Sequence, residues 1–179
     1  MKQFEREKQF ERTKQFERTK QFERTKSRTI RKGNEYRRMG MSFPGTMIVQ
    51  AGFDPAEDHI GPFYFEPKGS AAFGGYGFTL KAQHCNAMGS VHGGVLMTFA
   101  DFALCMAATD HYETETCVTV SFSCEFLRGA ELGQVIACQP RINRKTGSLV
   151  FVSGECTVEG EPCFSFSSVV KRLSLDRLR

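Results

Sequence analysis

The chain has 179 residues and a mass of 20.1 kDa, room for one domain and a tail. Hydrophobic residues make up 40% and charged residues 25%, as in globular proteins. The longest apolar stretch, 91–108, carries His92 and Asp101, which argues against a membrane span. The formal charge of +4 is uneven: residues 1–38 hold 14 Lys+Arg against 6 Asp+Glu, and residues 39–179 hold 10 against 14. A basic tail on an acidic body makes neither nucleic acid nor a membrane an expected partner.

Residues 2–25 repeat a hexapeptide, KQFERE and then KQFERT three times. Six residues are too few for a solenoid unit. In a helix Phe4, Phe10, Phe16 and Phe22 fall on three different faces, so no apolar stripe forms. Residues 1–40 are therefore expected to be a disordered or marginally helical low-complexity tail. The plainest origin is a tandem duplication, with Met39, Met41 or Met47 as alternative starts. The chain shows no charged start followed by an apolar core, and its seven cysteines include no C-x-x-C pair. The expectation is a cytoplasmic protein with reduced thiols, no disulfide framework and no structural zinc.

Residues 41–179 read as one α+β domain. Residues 43–62, with Pro44, Gly45, Gly52, Pro55, Gly61 and Pro62, predict an irregular lead-in. Phe63–Phe65 predicts a short strand, and Ala71–Ala82 a second one with Tyr76, Phe78 and Leu80 alternating. Gly93–Ala108 predicts a helix apolar nearly all round, which belongs in the middle of a core. Four further strands are expected. Cys117–Leu127 turns Val118, Val120, Phe122, Cys124 and Phe126 to one side, and Gln134–Asn143, Ser148–Val158 and Cys163–Lys171 follow. Links at Gly129-Ala130, at 145–147 and at 159–161 are hairpin-length, so the sheet of about six strands should be antiparallel around one helix.

Before the helix runs Asn86-Ala87-Met88-Gly89-Ser90-Val91-His92-Gly93-Gly94. Gly93 and Gly94 open the helix without side chains. A helix N-terminus offers unpaired N–H donors and partial positive charge, which suit a developing oxyanion. Asp101 is the one charged residue inside the apolar helix, costly to bury unless paired or used. Nine residues separate it from His92, about 13.5 Å of rise and a net half-turn. The two side chains of one chain therefore point apart, and antiparallel helices of two chains would bring them together.

The spacing N-x-x-G-x-x-H-G-G with Asp nine after the His resembles the hotdog-fold acyl-CoA thioesterases of the phenylacetate-degradation, PaaI-like type. The resemblance covers about 61–172, including Val118-Thr119-Val120-Ser121 and Phe126-Leu127-Arg128-Gly129-Ala130, where the family tends to have Pro in place of Gly129. It implies a sheet wrapped around one helix, homodimers or tetramers, and metal-free, cofactor-free hydrolysis of acyl-CoA to acid and CoA. By position, the Gly93 N–H would hold the thioester oxygen, and Asn86 and His92 would position the thioester or the water. Asp101 of the partner chain would be general base or nucleophile, and Thr119 would orient the water. Arg128, Arg144 and Lys145, at strand ends, are candidates for the CoA phosphates. Cys85 and Cys117 are expected to be bystanders. An aryl or medium-chain acyl group would suit Phe63, Phe65, Phe73, Phe78, Phe99 and Phe102 if they line a pocket; they are equally suited to a core. The alternatives are a non-catalytic acyl-CoA sensor or scaffold and a hotdog acyl-thioester hydratase, whose motif is spaced differently.

Overall fold

The computed structural model describes residues 48–50, 54–66 and 75–174. The repeat tail, the boundary near residue 40 and the start of the second strand lie outside them. In chain order come β1 (Ile48–Gln50), α1 (Pro55–Ile60), β2 (Phe63–Phe65), β3 (Tyr76–Thr79), a 3-10 turn (Ala82–His84) and α2 (Gly93–Ala108). Then follow β4 (Glu115–Phe126), β5 (Val135–Cys138), β6 (Arg141–Lys145), β7 (Leu149–Val158) and β8 (Glu161–Ser174). All pairings are antiparallel, in the order β1-β2-β3-β5-β7-β8-β4, with β6 also on β7. This is the expected α+β hotdog architecture, with the sheet curled around α2.

The curled sheet covers most of helix α2, burying Val95, Leu96, Phe99, Ala100, Phe102, Ala103, Leu104, Cys105, Met106 and Ala108, while Gly94 and Met97 stay exposed and Thr98 and Asp101 partly so. Phe63, Phe78 and Phe99 meet with ring centroids 4.8–5.4 Å apart, and Phe102 lies 5.2 Å from Phe63. These four phenylalanines are core and not an open acyl pocket. Phe99→Ala should cost about 3–5 kcal/mol, as for a fully enclosed aromatic. Urea unfolding followed by circular dichroism checks it, and a loss below about 1 kcal/mol would contradict this packing.

Four features depart from the sequence expectation. The run 134–143 is two strands, because Pro140 has no N–H to continue a ladder. β5 pairs with the end of β7 (Cys156–Val158) and β6 with its start (Val150–Ser153); this split and β1, formed within the lead-in expected to be irregular, raise the strand count from six to eight. The Gly129-Ala130 link is not a hairpin, since β4 pairs with β8 and not with β5. Within the lead-in, α1 forms where Asp54 caps it, Oδ1 accepting from the Ala56 N–H (2.8 Å) and the Glu57 N–H (3.2 Å), with Pro55 in the first turn.

The fourth departure concerns β4. Its register on β8 slips between Thr119 and Ser121, so Val120 is an extra residue. The bulge exchanges the two faces. Cys117 and Thr119 point to α2 before it, Phe122 and Cys124 pack on the core after it, and Val118 and Val120 stand outward, 50% and 60% exposed. A strict alternation over 118–126 misassigns the first half of this strand. β4 is also the edge strand, twelve residues long, with its far side unpaired among the described residues.

Candidate active site

Two clusters hold the sequence-predicted site residues, one at the start of α2 and one at its middle. The first is the loop leading into the helix. Asn86 Oδ1 accepts from the Met88 N–H (2.9 Å) and the Ser90 N–H (3.2 Å), and the Asn86 N–H donates to Ser90 O (2.7 Å). Gly89 takes φ +79°, a left-handed conformation open to glycine. Asn86 thus shapes the turn with its oxygen, and its amide nitrogen has no partner among the described residues. His92 is the N-cap of α2, and its Nδ1 accepts from the Gly94 N–H at 3.0 Å. In the neutral ring that bond leaves the proton on Nε2, which faces solvent.

Gly93 follows as the first helical residue. No intrahelical carbonyl serves its N–H, and no other acceptor does among the described residues. A Cβ on Gly93 would come within 2.7 Å of the Phe126 ring, at the far end of β4. The loop is anchored from below by His84, buried, which receives the Lys81 N–H on Nδ1 (3.0 Å) and donates from Nε2 to Ile60 O (2.6 Å). That histidine is structural.

The second cluster is built on the third turn of α2. Thr119 Oγ1 donates to Asp101 Oδ1 at 2.6 Å. The bulge at Val120 is what turns Thr119 inward to make this bond. Burial pushes the Asp101 carboxyl above the ordinary aspartate value, the Thr119 hydrogen bond opposes that, and Asp54 adds to the rise. Cys105 Sγ lies 3.6 Å from Thr119 Oγ1. Cys117 Sγ donates to the Cys105 carbonyl (4.0 Å), and the interaction of the two thiols pushes Cys105 up and holds Cys117 down. After α2, Asp110, His111 and Tyr112 all have positive φ (51°, 61° and 56°), a run strained for side-chain-bearing residues. This turn brings Tyr112 onto Cys105 and Cys117.

Glu57, on α1, was not singled out from the sequence. Burial, then Asp54, Asp101, Asp58 and Cys117, raise its carboxyl to about 8. The Asp54-Pro55-x-Glu57 capping pattern is the local signal that would have located its helix.

The structure joins Asp101 to Thr119 and places Asn86, His92 and Gly93 along one loop, and no hydrogen bond links the two groups within a chain. The three phosphate candidates are dispersed. Arg128 Nη2 donates to Val158 O (3.1 Å), Lys145 Nζ lies 3.9 Å from Glu115 at the opposite end of β4, and Arg144 is exposed on β6. A cavity of about 720 Å³ opens beside Gln139, Arg141, Ser153, Glu155 and Ser165 and touches none of the site residues. Among the described residues no three His, Cys, Asp or Glu side chains converge as a metal site. No helix among them is long and apolar enough to cross a membrane.

Residues 88–163, from the Asn86 turn to the start of β8, match the thioesterase superfamily. The domain around that segment has the hotdog fold. Its fold is similar to that of the PaaI protein of the Escherichia coli phenylacetic acid degradation operon, with TM-score 0.56, 18% identity, and 68% of this chain and 86% of that one covered. A Streptococcus pneumoniae hypothetical thioesterase solved with coenzyme A gives TM-score 0.53 at 16% identity, over 56% of this chain and 80% of that one. A Haemophilus influenzae thioesterase gives 0.54 at 14% identity, over 72% and 79%. A comparison with curated protein sequences finds no match.

Proposed function

We propose that this hotdog domain hydrolyses acyl-CoA thioesters, of aryl or medium-chain acids, to the free acid and CoA, at a site completed by a second copy of the chain. The observation that carries the reading is the Thr119–Asp101 pair on the side of α2 next to the unpaired edge of β4. Thr119 fixes one carboxylate oxygen and leaves the other for a water. A raised carboxyl is the stronger base, so Asp101 acts as general base and not as nucleophile. The CoA-bound Streptococcus relative supports CoA as the leaving group.

The oxyanion donor comes from the other chain. Antiparallel pairing of two β4 edges about a two-fold axis near Phe122–Ser123 sets Thr119 opposite the partner's Phe126. Phe126 is the residue whose ring lies over Gly93. Thr119 and Phe126 of one chain are seven residues apart, about 24 Å along a strand, too far to share a substrate carbonyl. The two-fold closes that gap twice, giving two sites per dimer. In each, Asp101 takes a proton from water, the oxygen adds to the thioester carbon, and the partner's Gly93 N–H holds the oxyanion. Collapse breaks the C–S bond, and the proton on Asp101 goes to the departing sulfur. Asn86 and His92 of that same loop position the thioester. Arg128, Arg144 and Lys145 serve the CoA phosphates, Arg128 from one chain and Lys145 from the other meeting at one end of the paired strands.

The test is thiol release by the full chain on acyl-CoAs from acetyl to palmitoyl, with phenylacetyl and hydroxyphenylacetyl. Turnover is expected to peak on one aryl or medium-chain member. A folded protein that binds acyl-CoA without turnover would be a sensor and would overturn the proposal.

A further inference from the structure

Two thiols lie against the Asp101–Thr119 pair, and the mechanism above uses neither. They meet because two elements present their side chains at matching intervals. On α2, Asp101 and Cys105 share one helix face, about 6 Å apart along the axis. On β4, Thr119 and Cys117 share one strand face, about 7 Å apart. Helix and strand run in opposite senses here, so Thr119 reaches Asp101 while Cys117 reaches Cys105. The contacts follow that order. Thr119 Oγ1 donates to Asp101 Oδ1 (2.6 Å), Cys105 Sγ is 3.6 Å from Thr119 Oγ1, and Cys117 Sγ donates to the Cys105 carbonyl (4.0 Å).

The two thiols differ in access. Cys105 is 7% exposed, Cys117 is half-buried, and Thr119 beside it is exposed. A molecule much smaller than a thioester that enters at Thr119 meets Cys117 before Cys105. The interaction of the two thiols holds Cys117 below the ordinary thiol value, and Tyr112 adds to that against burial. A partly exposed thiol favoured as thiolate, next to a second thiol, is the usual setting of an oxidation-sensitive pair.

We propose that Cys105 and Cys117 are a redox modification site, at which hydrogen peroxide converts the two thiols to a disulfide that disables the Asp101–Thr119 pair. The Cys117 sulfur attacks one peroxide oxygen, the O–O bond breaks, and the product is a sulfenic acid and one water. The Cys105 sulfur then attacks the Cys117 sulfur, the S–O bond breaks, and the hydroxyl leaves with the Cys105 proton as a second water. Two thiols give up two electrons and one peroxide takes them. The new bond draws Cys105 Sγ away from Thr119 Oγ1 and pulls the first half of β4 onto α2, two residues from Thr119. A displacement of that kind beside a general base costs orders of magnitude in rate. The effect on rate rests on the hydrolase reading; the disulfide itself does not.

The full chain is treated with hydrogen peroxide, blocked with an alkylating reagent and digested without reductant. Cleavage at Glu113 and Glu115 separates Cys105 from Cys117, so mass spectrometry should find their peptides joined, and dithiothreitol should part them. Thiol release should fall by about tenfold or more on oxidation and return with dithiothreitol. Cys117→Ser should keep its own rate through the same treatment, and Cys117→Ala serves if the serine variant fails to fold. Cys105 and Cys117 recovered as free thiols, Cys117 carried to the sulfinic acid beside an alkylated Cys105, or a disulfide confined to Cys138 and Cys156, which sit opposite each other on β5 and β7, overturns the proposal. A mapped Cys105–Cys117 disulfide with undiminished turnover overturns the switch. A reduced wild-type chain that turns over no thioester overturns the hydrolase reading, and the peptide map still decides whether these two thiols join.

Discussion

Gly93→Pro is expected to lower kcat by about 10²–10³ with little change in KM, the usual loss for one oxyanion donor. The substitution removes an N–H and little else. Proline is favoured at the first helical position, where that N–H has no intrahelical acceptor. The residue before it, His92, already has φ −74° and ψ 133°, the extended conformation that a following proline requires. The added ring atoms meet Phe126, whose ring is 57% exposed and free to swing. Gly93→Ala displaces the same ring and keeps the N–H, so it should retain most of the rate. Steady-state thiol release on the best acyl-CoA compares them. Equal losses in both variants would assign the effect to Phe126 and remove the oxyanion role.

Asp101→Asn should lose at least about a hundredfold in kcat, because a neutral amide takes no proton from water. Folding should survive, since Thr119 Oγ1 can still donate to the amide oxygen and no charge is left buried. The pH profile gives the second check. Asp101 is raised by burial, so activity should fall as pH drops through a value above that of an ordinary aspartate. Thr119→Val removes the hydrogen bond that opposes that rise, and its acid limb should move to still higher pH. A shift the other way would mean that Thr119 does not donate to the ionised carboxylate.

Stability follows a related sign at Glu57. Its folded value of about 8 exceeds the ordinary 4.5. Its favourable share is present below the ordinary value and is lost as pH rises towards the folded one. Glu57→Gln should match the wild type in chemical denaturation at pH 4 and exceed it at pH 9. A variant no more stable at pH 9 would place the Glu57 carboxyl in solvent.

Much of this arrangement is legible in the sequence for local reasons. An all-round apolar run at Gly93–Ala108 can only be a helix enclosed by something else, and the tight links at 145–147 and 159–161 close hairpins whose strands alternate. The Asn86–Gly94 loop and Asp101 are readable as a motif because their roles depend on spacing along one segment. What escaped depends on partners distant in sequence. Nothing in Val118-Thr119-Val120-Ser121 marks a bulge, since the slip is fixed by Val169 and Val170 across the ladder on β8. The same bulge decides whether Thr119 or Val120 faces Asp101. The place of β4 at the sheet edge comes from its pairing with β8, where Phe126 meets Phe164 far along the chain, and not from the short Gly129-Ala130 link. Glu57 looks like an ordinary first-turn acid until α1 is packed against α2. Pro140, by contrast, was visible and would have divided β5 from β6 on the simple ground of its missing N–H.

The central claim is that one catalytic centre is assembled from two chains, and subunit mixing tests it most directly. Asp101→Asn and Gly93→Pro homodimers should each be nearly inactive. Unfolded together and refolded at equal amounts, half of the dimers should be mixed, and each mixed dimer should hold one site with both an intact Asp101 and an intact partner Gly93. Thiol release should then return to about a quarter of the wild-type rate. A mixture no more active than its components would place Asp101 and Gly93 of a single chain in each site and contradict the account.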